Sequence, residues 1–187
     1  MTAEIYKALE KRLVNNVDGL AQVDWFANQY ADSEEEDLVW QTPVVYLEFL
    51  PITWITTGDA RVQEGLMTLR VHTVTDNDYE DKKRFTVTAH LETLKNVFIA
   101  LHDFDCMLSY SPGNENILPA FDVMLINELT RVRSEPDHLL RRFVVTVEEY
   151  QAQVVDVSKY VASLESDAWV TATLDLQVDM KDKLTPQ

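Results

Sequence analysis

Leu66-Met67-Thr68-Leu69-Arg70-Val71-His72-Thr73-Val74-Thr75 alternates in character almost residue by residue. Met67, Leu69, Val71 and Thr73 fall on one side, and Thr68, Arg70, His72 and Val74 on the other. Successive side chains of a strand point to opposite faces, so this stretch predicts a half-buried antiparallel strand. Upstream, Pro43 opens the β-branched and aromatic run Val44-Val45-Tyr46-Leu47-Glu48-Phe49-Leu50, and Pro51 closes it. Proline is tolerated at the first position of a strand, so this run is a second strand. Residues 51–65 read as the long hairpin loop between the two, with turn chemistry at Gly58-Asp59. Downstream the period changes. Over 79–102, Val87, Leu91, Leu94, Phe98 and Leu101 recur at spacings of four, three, four and three, the stripe of an amphipathic helix.

Working outward, residues 3–17 predict a helix through Ile5, Leu9 and Leu13, with Tyr6 and Val17 beside them, capped by Thr2 and stopped by Asp18-Gly19. Residues 20–42 are an acidic connection carrying Trp25, Phe26, Tyr30 and Trp40. Residues 103–120 read as a broken run, with a loop signal at Ser111-Pro112-Gly113-Asn114. A third strand is expected from Phe121 to about Val132, a turn at Ser134-Glu135-Pro136-Asp137, and a fourth strand over Leu139–Tyr150 with Phe143, Val145 and Val147 on one face. The order is α-β-β-α-β-β. It implies an α+β domain over 1–150, with a four-stranded, mainly antiparallel sheet covered by helices on one face. A C-terminal extension over 151–187 then offers a short helix (Val154, Val157, Val161, Leu164) and an alternating fifth strand (Val170, Ala172, Leu174, Leu176, Val178). That strand adds either to its own sheet edge or to a neighbour's.

Composition excludes several classes. The 187 residues hold 32 acidic and 16 basic side chains, a net charge of −16. A nucleic-acid binder matches phosphates with Lys and Arg, and this surface repels them on average. The single cysteine, Cys106, permits no disulfide within one chain and no thiolate zinc cage, which points to a reducing compartment. Four scattered glycines, at 19, 58, 65 and 113, supply no phosphate-cradling loop. No apolar run is long enough to span a bilayer, and the N-terminal residues lack a signal-peptide core, so no membrane partner is expected.

The search for catalytic chemistry is equally negative. His102-Asp103-Phe104-Asp105-Cys106 holds three ligand types, but adjacent residues point apart, and the segment reads as a helix end followed by a polar turn. Cys106 could pair with His90 or His102, yet it follows two acids at a helix end, which raises a thiol pKa. Ser109 and Ser111 lack a nucleophile elbow. His138 lies in a turn beside Arg141 and Arg142. No enzyme, metal or cofactor is expected.

Charge and aromatic placement point to assembly instead. Residues 51–147 are nearly balanced, with fourteen acids and ten bases, and contain the basic cluster Arg131, Arg133, Arg141 and Arg142. Those arginines are candidate subunit-interface residues that would meet a neighbour's carboxylates. Trp54 and Ile55, two large apolar side chains in a long loop, are candidates to insert into a partner. Glu34, Glu35, Glu36 and Asp37 lie in a mutually repelling run and read as a solvated loop.

The short N-terminal helix before Thr42-Pro43-Val44-Val45-Tyr46-Leu47-Glu48, the hairpin into Met67–Val74, the following helix, and the final strand pair joined at Arg131-Val132-Arg133-Ser134-Glu135-Pro136-Asp137-His138 together resemble the tail-terminator and tail-completion proteins of tailed bacteriophages. The resemblance covers about residues 3–150. It implies a structural virion protein without catalysis, made in the host bacterial cytoplasm. Members of the family form rings, commonly hexamers, that end the tail tube and join it to the head-proximal connector. DNA would pass through such a ring without specific binding, with Glu34 to Asp37 facing the channel or its rim. Alternative readings are another head–tail connector or stopper ring, and a small cytosolic binding module or enzyme without a recognisable motif.

Overall fold

The computed structural model describes residues 2–30, 41–76, 85–110, 121–135, 138–140 and 143–164. In chain order these form α1 (Thr2–Asn16), β1 (Gln22–Trp25), β2 (Val44–Phe49), β3 (Trp54–Thr56), β4 (Gln63–Asp76), α2 (Phe85–Leu101), β5 (Phe104–Tyr110), β6 (Phe121–Ser134), β7 (His138–Leu140), β8 (Phe143–Asp156) and α3 (Ser158–Leu164). One mixed sheet runs in the order β1-β2-β4-β8-β6-β5, with β3 paired to β4 and β7 to β8. Its centre is the fourteen-residue antiparallel ladder between β4 and β8, from Gln63↔Asp156 to Asp76↔Phe143.

The α+β class agrees with the reading of the sequence; the strand count does not. The expected four strands correspond to the central antiparallel run β2-β4-β8-β6. Four more pair around it. β1 lies in the acidic connection and pairs parallel to β2. β3 lies in the supposed hairpin loop, and β5 in the supposed broken run. The turn expected at Ser134–Asp137 is instead an interruption along one edge of β8. β6 pairs with β8 up to Ser134↔Glu148, the Glu135 N–H donates to the Val147 carbonyl (2.8 Å), and β7 resumes at His138↔Val145. The boundary expected at 150/151 falls inside β8, which continues to Asp156. The alternating segment 170–178 lies outside the described residues.

α1 forms as its periodicity requires. Ile5, Leu9, Leu13 and Val17 are buried on one stripe, and Gly19 at φ 74° ends the helix in the left-handed conformation that glycine adopts without a Cβ clash. α2 also forms, but rotated from the expected phase. Its buried residues are His90, Val97, Ala100 and Leu101, whereas Leu91 is exposed. The helix is apolar on more than one side, so sequence spacing alone leaves its rotation open. His90 is held inside by two sheet hydroxyls, Thr75 Oγ1 at 2.8 Å from Nδ1 and Thr146 Oγ1 at 2.7 Å from Nε2.

The main core lies between helices and sheet. Residues from α1 and α2 meet Val45 and Leu47 of β2, Met67, Leu69 and Val71 of β4, and Tyr150, Ala152 and Val154 of β8, while α3 adds Tyr160. Fully burying one such aliphatic side chain contributes roughly 1.5–3 kcal/mol, which is why the strict alternation of β4 selects this face for the helices. Gly65 lets the chain fold back at the β3–β4 pairing: a Cβ there would sit 2.6 Å from Ile52 Cγ2 and 3.1 Å from the Thr53 carbonyl oxygen.

Candidate functional site

The sheet face away from α1 and α2 carries the chemistry. Register alone assembles it into rows. At one end Val44, Val74 and Val145 lie abreast and form a second small core with Tyr46 and Phe143, with Phe26, Tyr30 and Val147 packed against it. This second core buries His72 and Val74, so the outer end of β4 is covered on both faces rather than half-buried.

The next row joins Tyr46, His72 and Val147. The residues after β1 fold over it. Phe26 stacks on the His72 imidazole, with ring centroids 4.1 Å apart and planes 7° apart. Tyr30 Oη lies 2.6 Å from His72 Nδ1, and Glu48 Oε2 lies 3.1 Å from Nε2. An ionised carboxylate only accepts, so Nε2–H donates to Glu48 and Nδ1 accepts the Tyr30 hydroxyl. Hydroxyl, imidazole and carboxylate are thus connected as in a nucleophile–base–orienter relay. Burial pushes the Tyr30 phenol up to about 12, helped by the Glu48 and Glu135 charges, so it keeps its proton at neutral pH. Burial also lowers the His72 pKa, against the raising effect of its bond to Glu48. The arrangement is a clamp that fixes Phe26 and Tyr30 to the sheet.

Beside the clamp, Glu48, Arg70, Glu149 and Arg133 pair in register across β2, β4, β8 and β6. Their charges alternate along the row. Arg70 is shared between Glu149 (3.4 Å) and Glu48 (3.7 Å). Arg133, at the end of the row, is 64% exposed and reaches Glu135 at 3.4 Å. Beyond the charged row the surface turns amide-rich, with the carboxylates of Glu64 and Glu128 exposed at its margins. Thr68 aligns with Gln151 and Thr130, and Leu66 aligns with Gln153 and Asn127. A shallow cavity of about 280 Å³ opens among Leu66, Asn127, Glu128, Gln151, Ala152 and Gln153. It sits at a β-bulge where Glu128 takes φ 53° and its N–H donates to Asp105 Oδ1 at 2.6 Å. Bulges of this kind re-aim a strand locally and raise its twist.

The residues singled out from sequence fall in three places. Ile55 pairs with Glu64 on β3, diagonal to Leu66, and these two apolar side chains are 64% and 56% exposed. Trp54, the other member of the expected inserting pair, is half-buried against its own core. Arg131 is turned the other way from Arg133. A bulge separates the two, and Arg131 lies on the helix side, with its guanidinium 4.0 Å from the Phe98 ring centroid and 2.6 Å from Glu148 Oε1. Glu148 is 2% exposed and also accepts the Tyr150 hydroxyl at 3.0 Å. Arg141, Arg142, Glu34, Glu35, Glu36 and Asp37 lie outside the described residues.

No family model matches the chain, and no curated protein matches it. The chain is similar to solved structures. One of these is a chain of the "Virion of native gene transfer agent (GTA) particle", with a TM-score of 0.46 and 13% identity, aligned over 81% of this chain and 95% of that one.

His102, just after α2, and Cys106, in β5, are two of the residues considered for catalysis. His102 stacks on Phe98, with centroids 4.7 Å apart, and its Nε2 lies 3.5 Å from Asp103 Oδ1. Cys106 is half-buried in β5, and burial pushes its thiol pKa up, away from the thiolate. Among the described residues no three His, Cys, Asp or Glu side chains are grouped to hold a metal ion, and no helix is long and apolar enough to cross a membrane.

His72 and Glu48 went unnoticed from sequence. The available signal was a histidine in the polar register of β4, between Val71 and Thr73 and opposite a strand with one carboxylate. The register between β2 and β4 was needed to join them.

Proposed function

We propose that this chain is a structural virion protein of a tailed, phage-like particle, forming a ring that ends the tail tube at its head-proximal end and joins it to the head connector. The observation that carries this reading is the sheet face left open by the helices. There a charged row ends in the exposed Arg133, and the apolar side chains of Ile55 and Leu66 stand in solvent beside amides and the exposed carboxylates of Glu64 and Glu128. Apolar knobs among hydrogen-bonding groups, rimmed by charge, are the anatomy of a protein-binding surface. The order of elements, with two hairpins joined through one helix, fits the same reading through its resemblance to tail terminators. The chain acts by assembly and performs no catalysis. Its partners are other copies of itself, a tail tube protein and a connector protein. Glu34, Glu35, Glu36 and Asp37 face the bore or its rim, where like charge keeps DNA from sticking.

Deletion of the gene tests the reading. Particles lacking the chain should show unjoined heads and tubes of uncontrolled length by electron microscopy, and labelled chain should sit at the head–tail junction of intact particles. Normally joined particles, or label elsewhere, overturn the terminator role. Replacing Glu34, Glu35 and Glu36 together with lysine should block DNA delivery or assembly. Unchanged delivery removes the acidic bore from the proposal.

A further inference from the structure

The helices present an outward surface that complements the open sheet face. On α1, Lys7, Lys11 and Val14 are exposed at spacings of four and three, opposite the buried stripe Leu9–Leu13. On α2, Leu91, Lys95 and Ile99 are exposed at spacings of four, with Glu92 also exposed beside Leu91, so the positive charge of the layer rests mainly on Lys7 and Lys11 of α1. The two helices pack against each other, and Arg12 Nε donates to the Ala100 carbonyl at 2.8 Å. They therefore form one layer with two exposed stripes, each mixing lysine with large aliphatic side chains. Residues three and four apart lie side by side on a helix, so each stripe is continuous. The exposed part of the open sheet has the opposite sign around the same kind of apolar centre. Ile55 and Leu66 stand among the carboxylates of Glu64 and Glu128, with Glu149 and Glu48 in the adjoining charged row.

We propose that these two surfaces bind each other between copies, the open sheet face of one chain seating on the α1–α2 layer of the next. The occupant of each surface is a second copy of this chain. The argument is complementarity. In a chain of net charge −16, the helix layer exposes three lysines against one glutamate, Glu92, while the sheet face exposes Glu64 and Glu128, each around aliphatic side chains half or more exposed. Contact between two different surfaces is heterologous, and repeated heterologous contacts close into rings when the rotation between copies allows it. The inference rests on the ring reading above and names the two surfaces that ring would use.

The experiment is sedimentation velocity at roughly 0.15 M ionic strength, where exposed charges are screened beyond about 8 Å. Four proteins are compared, each checked for an unchanged circular dichroism melt: the wild type, I55D with L66D, L91D with I99D, and an equimolar mixture of the two double variants. The wild type should form a multi-subunit species. Each double variant should associate about tenfold more weakly or worse. The mixture should form dimers and nothing larger, because each copy retains one intact surface and the two intact surfaces differ. A mixture that stays monomeric, a double variant that assembles like the wild type, or a monomeric wild type each overturns the proposal. None of these outcomes decides the terminator role, which is read from particle morphology. A ring at the head–tail junction built by other contacts would leave that role standing while these surfaces fall.

Discussion

His72 sits where two strands and the segment after β1 meet, and its protonation state is set by what surrounds it. Tyr30, Glu48, Arg70 and Glu135 are the titratable or charged groups acting on it; burial, the largest effect, lowers its pKa below the ordinary 6.5. A base whose folded-state pKa is depressed binds fewer protons folded than unfolded, so stability rises with pH across that window. The stabilisation is therefore complete above the ordinary histidine pKa and is lost as pH falls below it toward the folded value. The melting temperature of the wild type should fall more steeply between about pH 7 and pH 5 than that of His72→Gln, which cannot take up this proton. Equal slopes would show that His72 is not the group titrating. Arg131 makes a different case. Glu148 is 2% exposed and depends on Arg131 for a countercharge, so Arg131→Ala leaves a buried carboxylate with only the Tyr150 hydroxyl. Removing one partner of such a pair costs on the order of 3 kcal/mol, which for a chain of this size lowers Tm by roughly 5–10 °C. Adding Glu148→Gln should recover most of that loss. A variant with unchanged Tm would show the pair to be incidental.

At the scale of elements, the β3–β4 pairing turns on one missing side chain. Gly65 lies opposite Trp54, and a methyl group there would press on Ile52, the Thr53 carbonyl and the Trp54 ring. Gly65→Ala should destabilise by about 1–3 kcal/mol, the usual range for an overpacked site, and hydrogen exchange should quicken first in 54–56. Protection as in the wild type would show that Ile52 simply moves aside. This pairing was invisible in the sequence, where 51–65 reads as a loop, because three-residue strands carry no periodicity of their own. The long elements were legible for the opposite reason. β4 alternates through Met67, Leu69 and Val71 before its outer end is buried on both faces, and α1 repeats Ile5, Leu9 and Leu13 on one stripe. α2 was legible as a helix but not in its rotation. Leu91 fitted the apolar stripe yet lies in solvent, while His90 beside it is buried by Thr75 and Thr146, contributed by strands fifteen and fifty-six residues away. The candidate surface was legible only at its two ends, Ile55 and Arg133. Its middle, Glu48–Arg70–Glu149, exists only once the register of β2, β4 and β8 is set.

At the scale of the whole molecule, two electrostatic effects of different range act on association. Each copy carries a net charge of −16, so copies repel at long range. The proposed contact instead sets exposed lysines against exposed glutamates at short range. Ionic strength separates the two, because screening acts first on what is far apart. At about 0.01 M the Debye length is near 30 Å and the repulsion spans whole subunits; at about 0.15 M it is near 8 Å and only close pairs are felt; at about 1 M it is near 3 Å and even those fade. Association should therefore pass through a maximum near physiological salt, weaker at both extremes. The apolar contacts of Ile55, Leu66, Leu91 and Ile99 do not depend on screening in this way. If burial of those side chains alone held copies together, sedimentation would show association rising steadily as repulsion is screened. If lysine–glutamate pairing dominated at every distance, association would instead decline steadily from the lowest salt. A maximum requires both the global repulsion and the local attraction, and Lys95→Glu should flatten its high-salt limb by removing part of the attraction.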